Sequence, residues 1–211
     1  MDTRSGTAWW IRVLRVAFAV LAIVALVSLP LRNSDVATFS IANFFSYFTI
    51  QSNVIAMIVL LVGGLRDPAG HRWRLVRGAA TLYLVITGVV YAVLLADVDV
   101  ALTDRWINDI LHRIMPIVMV LDWVLVPVAL GIGARLIGAW LIYPFVYGVY
   151  TLVRGPVVDW YPYPFLDPRH QGYVSLIIGL VVLTGVFALL ALAVVSVGAL
   201  ATRWRHPAPA G

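Results

Sequence analysis

Long apolar runs alternate with short polar breaks along the whole chain, and a helix needs about 20 apolar residues to cross the ~30 Å hydrocarbon layer of a bilayer. Six runs reach that length, near residues 10–31, 41–64, 78–96, 108–133, 136–153 and 173–201. They predict an all-α polytopic membrane protein, a six-transmembrane-helix bundle forming a single integral membrane domain over residues 1–211. The first run has a basic start and an apolar stretch from Val16 to Leu29, as a signal peptide has. No small-x-small cleavage site follows before Pro30 and Arg32, so it reads as a retained helix. Connections are short except 97–107 and 154–172. The second carries Trp160, Tyr161, Tyr163 and Phe165 among Pro156, Pro162, Pro164 and Pro168. Amphipathic rings settle at interface depth, which predicts an aromatic cap over the bundle.

Composition sharpens this picture by exclusion. With 62% hydrophobic and 12% charged residues, the chain has too little polar surface for a soluble domain, where roughly a quarter of residues are charged. There are 0 cysteines, which excludes disulfide scaffolds and thiol enzymes. All 15 basic residues are Arg and all 10 acidic residues are Asp, and without Lys no retinal or pyridoxal Schiff base can form. The pI of 9.9 would suit nucleic acid, yet the arginines lie between apolar runs, where the positive-inside effect accounts for them. No nucleic-acid partner is expected. Arg4, Arg12, Arg15, Arg66, Arg72, Arg74, Arg77, Arg135, Arg203 and Arg205 fall on the side of both termini, against Arg32, Arg105, Arg113, Arg154 and Arg169 opposite. This division predicts a multi-pass protein of the cell membrane with cytoplasmic termini, 97–107 and 154–172 lying outside.

Polar side chains inside a span cost roughly 1 to several kcal/mol, so each needs a partner or a purpose. The second span carries Asn43, Ser46, Thr49, Ser52 and Asn53 among Phe44, Phe45, Tyr47 and Phe48. Spacings of 3 and 4 put Ser46, Thr49 and Asn53 on one helical face, with Gln51 nearly opposite. On composition alone this face is an ordinary helix contact, since Ser and Thr commonly bridge membrane helices. The fourth span opens with Trp106, Asn108, Asp109, His112, Arg113 and Pro116. His112 follows Asp109 by 3 residues and Asn108 by 4, so either side chain is placed to hold its imidazole. At ~1.5 Å rise per residue, Thr49 lies ~12 Å and His112 ~6 Å below the outer boundary, an offset within side-chain reach. Asp122 is ~15 Å further along than His112, too far to complete a triad with it. Its depth instead matches Arg15, and a structural Arg15–Asp122 ion pair accounts for both charges.

The four histidines, His71, His112, His170 and His206, lack the i, i+4 spacing of a metalloprotease helix, so no metal site is expected. No G-x-S-x-G elbow and no Gly-rich phosphate loop are present, which removes the usual serine hydrolases.

Three segments carry a resemblance: YFTIQSN (47–53), WINDILH (106–112) and WYPYPFLD (160–167). Together with six spans over the whole chain, they are similar to the androgen-induced protein family of small membrane proteins, which includes hydrolases of fatty acid esters of hydroxy fatty acids. The resemblance implies an intramembrane Thr nucleophile with a His base, and Thr49 and His112 stand at the matching places. The Tyr-Pro-Phe-Leu-acid run corresponds to Tyr163, Pro164, Phe165, Leu166 and Asp167, with Asp where eukaryotic members usually have Glu. Arg113 with Asp122 and Trp123, and the all-Arg, all-Asp usage, imply a bacterial branch.

The function so implied is hydrolysis of a lipid ester, with no cofactor. His112 would take the Thr49 proton, Asn108 or Asp109 would orient the imidazole, and Ser46, Asn53 or Tyr47 would donate to the oxyanion. Arg15 and Asp122 would be structural, and Tyr163, Phe165 and Asp167 would lie at the substrate mouth. The expected partners are membrane lipids and the lipid ester itself; no protein partner can be read. The rival expectations are a non-enzymatic lipid- or sterol-binding protein and, less simply, a small transporter.

Overall fold

The computed structural model describes residues 6–95 and 104–205, and among the described residues every regular element is helical. In chain order these are α1 (Trp9–Asn33), α2 (Ile41–Phe44), α3 (Phe48–Leu65), α4 (His71–Val90) running into a π-turn (Tyr91–Leu95), α5 (Arg105–Asp109), a second π-turn (Ile110–Ile114), α6 (Met115–Leu125), α7 (Ala134–Val158), a 3₁₀ turn (Pro164–Leu166) and α8 (Pro168–Arg205). Five of the helical segments are long and apolar enough to cross a membrane. The sixth run of the bundle, 105–125, is continuous helix divided by its π-turn. The chain is an all-α, multi-pass membrane bundle.

Its boundaries differ from the apolar runs for local reasons. The run at 41–64 is broken at 45–47, so Ser46 does not share a helical face with Thr49. Side chains satisfy the groups that this break frees, as a lipid environment requires. Ser46 Oγ donates to the Ala42 carbonyl at 2.6 Å, Gln51 Nε2 to that of Phe45 at 2.8 Å, and the Tyr147 hydroxyl to that of Ser46 at 2.9 Å. The run at 78–96 starts earlier, at His71, because Arg72, Arg74 and Arg77 lie on the helix itself. The run at 108–133 stops at Leu125, since Pro127 pushes Val126 out of the helical region. The runs at 10–31 and 136–153 extend to Trp9–Asn33 and Ala134–Val158. The last, at 173–201, lengthens to Pro168–Arg205 with a kink at Gly172, whose φ of 77° is open to glycine without steric cost. Of the long connections, part of 97–107 lies outside the described residues, and 154–172 is irregular only between α7 and α8.

Small residues set the closest crossing. Ala19, Ala22 and Ala25 are fully buried on α1, and a Cβ on Gly64 of α3 would sit 2.6 Å from Val16 Cγ2 and 2.8 Å from the Arg12 carbonyl. Close backbone approach of this kind is how membrane helices gain dispersion contact. Arg12 completes the junction, donating from Nε and Nη2 to the Gly64 and Leu65 carbonyls at 2.9 and 2.8 Å, where α3 leaves acceptors unmet.

Buried charges tie α1, α4 and α6 together. Arg15 Nε meets Asp122 Oδ1 at 2.6 Å, with both side chains buried. Arg77 adds a partner that the sequence reading placed in a loop: its Nη1 is 3.7 Å from Asp122 Oδ2, and its guanidinium lies 4.9 Å from the Trp123 ring centroid. Asp67, 3.6 Å from Arg15 Nη1, balances the second arginine.

Candidate active site

Thr49 is the second residue of α3, where main-chain N–H groups have no partner within the helix. Two tyrosines from elsewhere in the chain supply them. Phe48 N donates to the Tyr147 hydroxyl at 3.2 Å, and Thr49 N to the Tyr163 hydroxyl at 3.3 Å. The break at 45–47 therefore does more than shorten a span: it places the start of a helix, and Thr49 with it, inside the bundle.

His112 sits in the π-turn of the neighbouring run. Pro116 has no N–H to return to the His112 carbonyl four residues back, so the α pattern cannot be kept there and the turn widens. The structure brings the two side chains together, with Thr49 Oγ1 3.2 Å from His112 Nε2. The other ring nitrogen, Nδ1, is 3.1 Å from the Asn108 carbonyl oxygen. A carbonyl only accepts, so Nδ1 carries the proton, and Nε2 presents its lone pair to the Thr49 hydroxyl. This is the arrangement a base needs in order to take a proton from a weak nucleophile.

The supporting groups differ from expectation. Neither the Asn108 amide nor the Asp109 carboxylate holds the imidazole, because each is committed elsewhere: Asn108 Nδ2 donates to the Tyr91 hydroxyl at 2.6 Å, and Asp109 accepts from Arg113 Nη1 at 2.7 Å. The orienting group is the main chain of Asn108. Of the expected oxyanion donors, Ser46 is spent on Ala42 and faces the Tyr150 hydroxyl at 2.8 Å. Both amide protons of Asn53 go to carbonyls, those of Thr49 at 2.8 Å and Leu111 at 3.0 Å. Tyr47 meets Trp160 and Tyr163 edge-on, at centroid distances of 5.4 and 5.7 Å.

Tyr163 lies closer to the chemistry than a mouth residue would, its hydroxyl 3.3 Å from Thr49 Oγ1. Phe165 stacks on it with centroids 5.2 Å apart and planes 6° from parallel. Asp167 caps the start of α8, accepting from Arg169 N at 2.9 Å and from the Arg169 guanidinium at 2.7 to 3.1 Å. Those bonds hold its carboxyl below the usual carboxylate range. Arg15 and Asp122 stand apart in the buried charge cluster. Tyr91 was not singled out by sequence, as it lies inside an apolar run with no motif around it.

A cavity of about 440 Å³ lies between α7 and α8 and reaches Thr49. Its wall includes the buried Thr49, Tyr147 and Tyr163 together with Ile142 and Phe145, which are exposed on α7. His112 does not line it and is itself half-buried. Compared with known proteins, the chain matches no family model, no curated protein and no solved structure.

Proposed function

We propose that this protein is an intramembrane threonine hydrolase of lipid esters, of the kind found in the androgen-induced protein family and belonging to a bacterial branch of it. The observation that carries the reading is the Thr49–His112 contact at 3.2 Å with the imidazole proton held on the far nitrogen. Thr is a poor nucleophile at neutral pH and acts only where a base within hydrogen-bond reach accepts its proton. His112 takes that proton as Thr49 Oγ1 attacks the ester carbonyl, and water then releases the acyl group from Thr49.

The surroundings suit a lipid ester in particular. The cavity falls within the range of small-ligand sites, roughly 300–1,000 Å³, and its wall is almost wholly apolar. An acyl chain can slide in between α7 and α8 from the bilayer, and His112, which is not fully buried, stands where water can be drawn toward Thr49. The arginine division adds the setting, a cell membrane with cytoplasmic termini. Cysteine introduced at Asp159 should then react with an impermeant maleimide on whole cells, and full protection would reverse the orientation.

The function is tested with a fluorophosphonate probe, which labels only an activated nucleophile. Wild type should be labelled and should release fatty acids from membrane lipid esters. Thr49→Ala and His112→Ala should do neither while still inserting and purifying, and Thr49→Ser, which keeps a hydroxyl, should retain part of both. Equal labelling of wild type and Thr49→Ala would remove the hydrolase reading and leave lipid binding in its place.

A further inference from the structure

Hydrogen-bond accounting around Thr49 leaves one donor unassigned. The Asn108 carbonyl fixes the proton on His112 Nδ1, so Nε2 accepts and the Thr49 hydroxyl donates to it. In the 3.3 Å contact between Thr49 Oγ1 and the Tyr163 hydroxyl, Thr49 therefore has no proton left to give, and Tyr163 is the donor. The Tyr163 oxygen is itself occupied, accepting Thr49 N–H at 3.3 Å. The phenol proton thus points at the oxygen that would attack.

The cavity fixes the side from which a carbonyl arrives. Thr49 and Tyr163 both line it and His112 does not, so an acyl carbon reaching Oγ1 through the cavity passes beside the Tyr163 hydroxyl. Ser46 and Asn53 have spent their protons on main-chain carbonyls. The Tyr163 ring is buried, stacked on Phe165 and held edge-on by Tyr47, so its hydroxyl oxygen is fixed beside Thr49 before a substrate arrives. Burial pushes this phenol up to about 12, which keeps the proton in place at any physiological pH.

Resting on the hydrolase reading above, we propose that the Tyr163 hydroxyl is the oxyanion donor of this site. As Thr49 Oγ1 bonds to the carbonyl carbon, its proton passes to His112 Nε2 and the carbonyl π pair moves onto oxygen. The Oγ1 lone pair that held the Tyr163 proton is consumed in the new bond, and the phenol turns its O–H to the adjacent alkoxide. When that pair returns, the bond to the alcohol oxygen breaks and the departing oxygen takes the proton from His112. Water repeats the sequence on the acyl-threonine and frees the acid. Tyr163 stays protonated throughout.

The test compares wild type, Tyr163→Phe and Thr49→Ala in lipid nanodiscs with a long-chain p-nitrophenyl ester. Two ligands of the same chain length are added: a trifluoromethyl ketone, whose Thr49 adduct carries the oxyanion, and an ether that forms no adduct. Tyr163→Phe keeps both ring contacts and should lower kcat by about 10²-fold or more with KM nearly unchanged. It should weaken the ketone by a similar factor and leave ether binding as in wild type. Should Tyr163→Phe not fold, 3-fluorotyrosine at position 163, close in shape and a stronger donor, should tighten the ketone. Unaltered ketone affinity in whichever variant folds overturns the assignment. If wild type turns over and Thr49→Ala does not, that result leaves the hydrolase reading standing. A wild type that neither hydrolyses the ester nor binds the ketone more tightly than the ether overturns both.

Discussion

Tyr91 lies over His112 with ring centroids 4.4 Å apart and planes inclined by 26°. Both rings come from π-turns, Tyr91–Leu95 and Ile110–Ile114. Asn108 links them, its carbonyl accepting from His112 Nδ1 and its amide donating to the Tyr91 hydroxyl. On the hydrolase reading Tyr91 touches no reacting atom, and its role is to position the imidazole. Tyr91→Leu removes the stacking face and should lower kcat by about 10- to 100-fold with KM little changed, since small misplacements of a base are costly. Tyr91→Phe keeps the face and should restore most of the rate. Equal activity in Tyr91→Leu and wild type would make the stack mere packing.

How much of this site could be read from the chain depends on what kind of contact holds it. Thr49 and His112 stand out because polar side chains are rare in apolar runs, and helical rise puts them at similar depth. Arg15 and Asp122 stand out for the same reason. Tyr91 and Tyr163 do not, because a tyrosine within an apolar run or an aromatic loop carries no signal of its own. The Asn108 carbonyl is invisible in principle, as every residue has one. Arg77 was hidden by its neighbours: with Arg72 and Arg74 it reads as a basic loop, and only the fold turns it inward to Asp122. The break at 45–47 is hidden too, since no proline or glycine marks it and its carbonyls are satisfied by the distant side chain of Tyr147 and by Gln51.

The buried acid gives a prediction of the opposite kind. Asp122 faces two arginines that are each 3% exposed, so Asp122→Asn strands positive charge inside the bundle. Breaking such a pair costs roughly 3–5 kcal/mol in soluble proteins. Detergent-solubilised Asp122→Asn should melt well below wild type, with the specific activity of the folded fraction preserved. A variant as stable as wild type yet inactive would move Asp122 into the catalytic set.

Asp167 makes stability pH-dependent at the start of α8. Hydrogen bonds from Arg169 hold its folded-state pKa below the unfolded value, so its stabilisation is present above the ordinary carboxylate range, ~3.9, and is lost as pH falls through the lower folded value. Asp167→Asn preserves a capping oxygen and removes only the charge. Its melting temperature should lie a few degrees below wild type at pH 7, and the two curves should converge in acid. A gap that does not narrow at all as pH falls below the ordinary carboxylate range would mean that Asp167 acts through geometry alone.

The cavity between α7 and α8 can be filled without touching the catalytic groups. Gly148 lines it, and a Cβ built there meets no atom within 4 Å. Gly148→Leu therefore adds bulk to empty space, and in a helix the exchange gains about 1 kcal/mol of propensity, so the fold should hold. If the acyl chain lies in this cavity, kcat/KM for long-chain esters should fall by about 10-fold or more, given that each methylene in an apolar pocket is worth roughly 1–3 kcal/mol. An acetyl ester, which leaves the cavity empty, should be hydrolysed as before, and a short fluorophosphonate should still label Thr49. Gly155→Ala provides the contrast, because its Cβ would overlap the Tyr161 ring, two residues before Tyr163, and that ring must shift. That variant should slow long and short esters alike. Undiminished long-chain hydrolysis in Gly148→Leu would place the chain elsewhere and return the cavity to a packing defect between two lipid-facing helices.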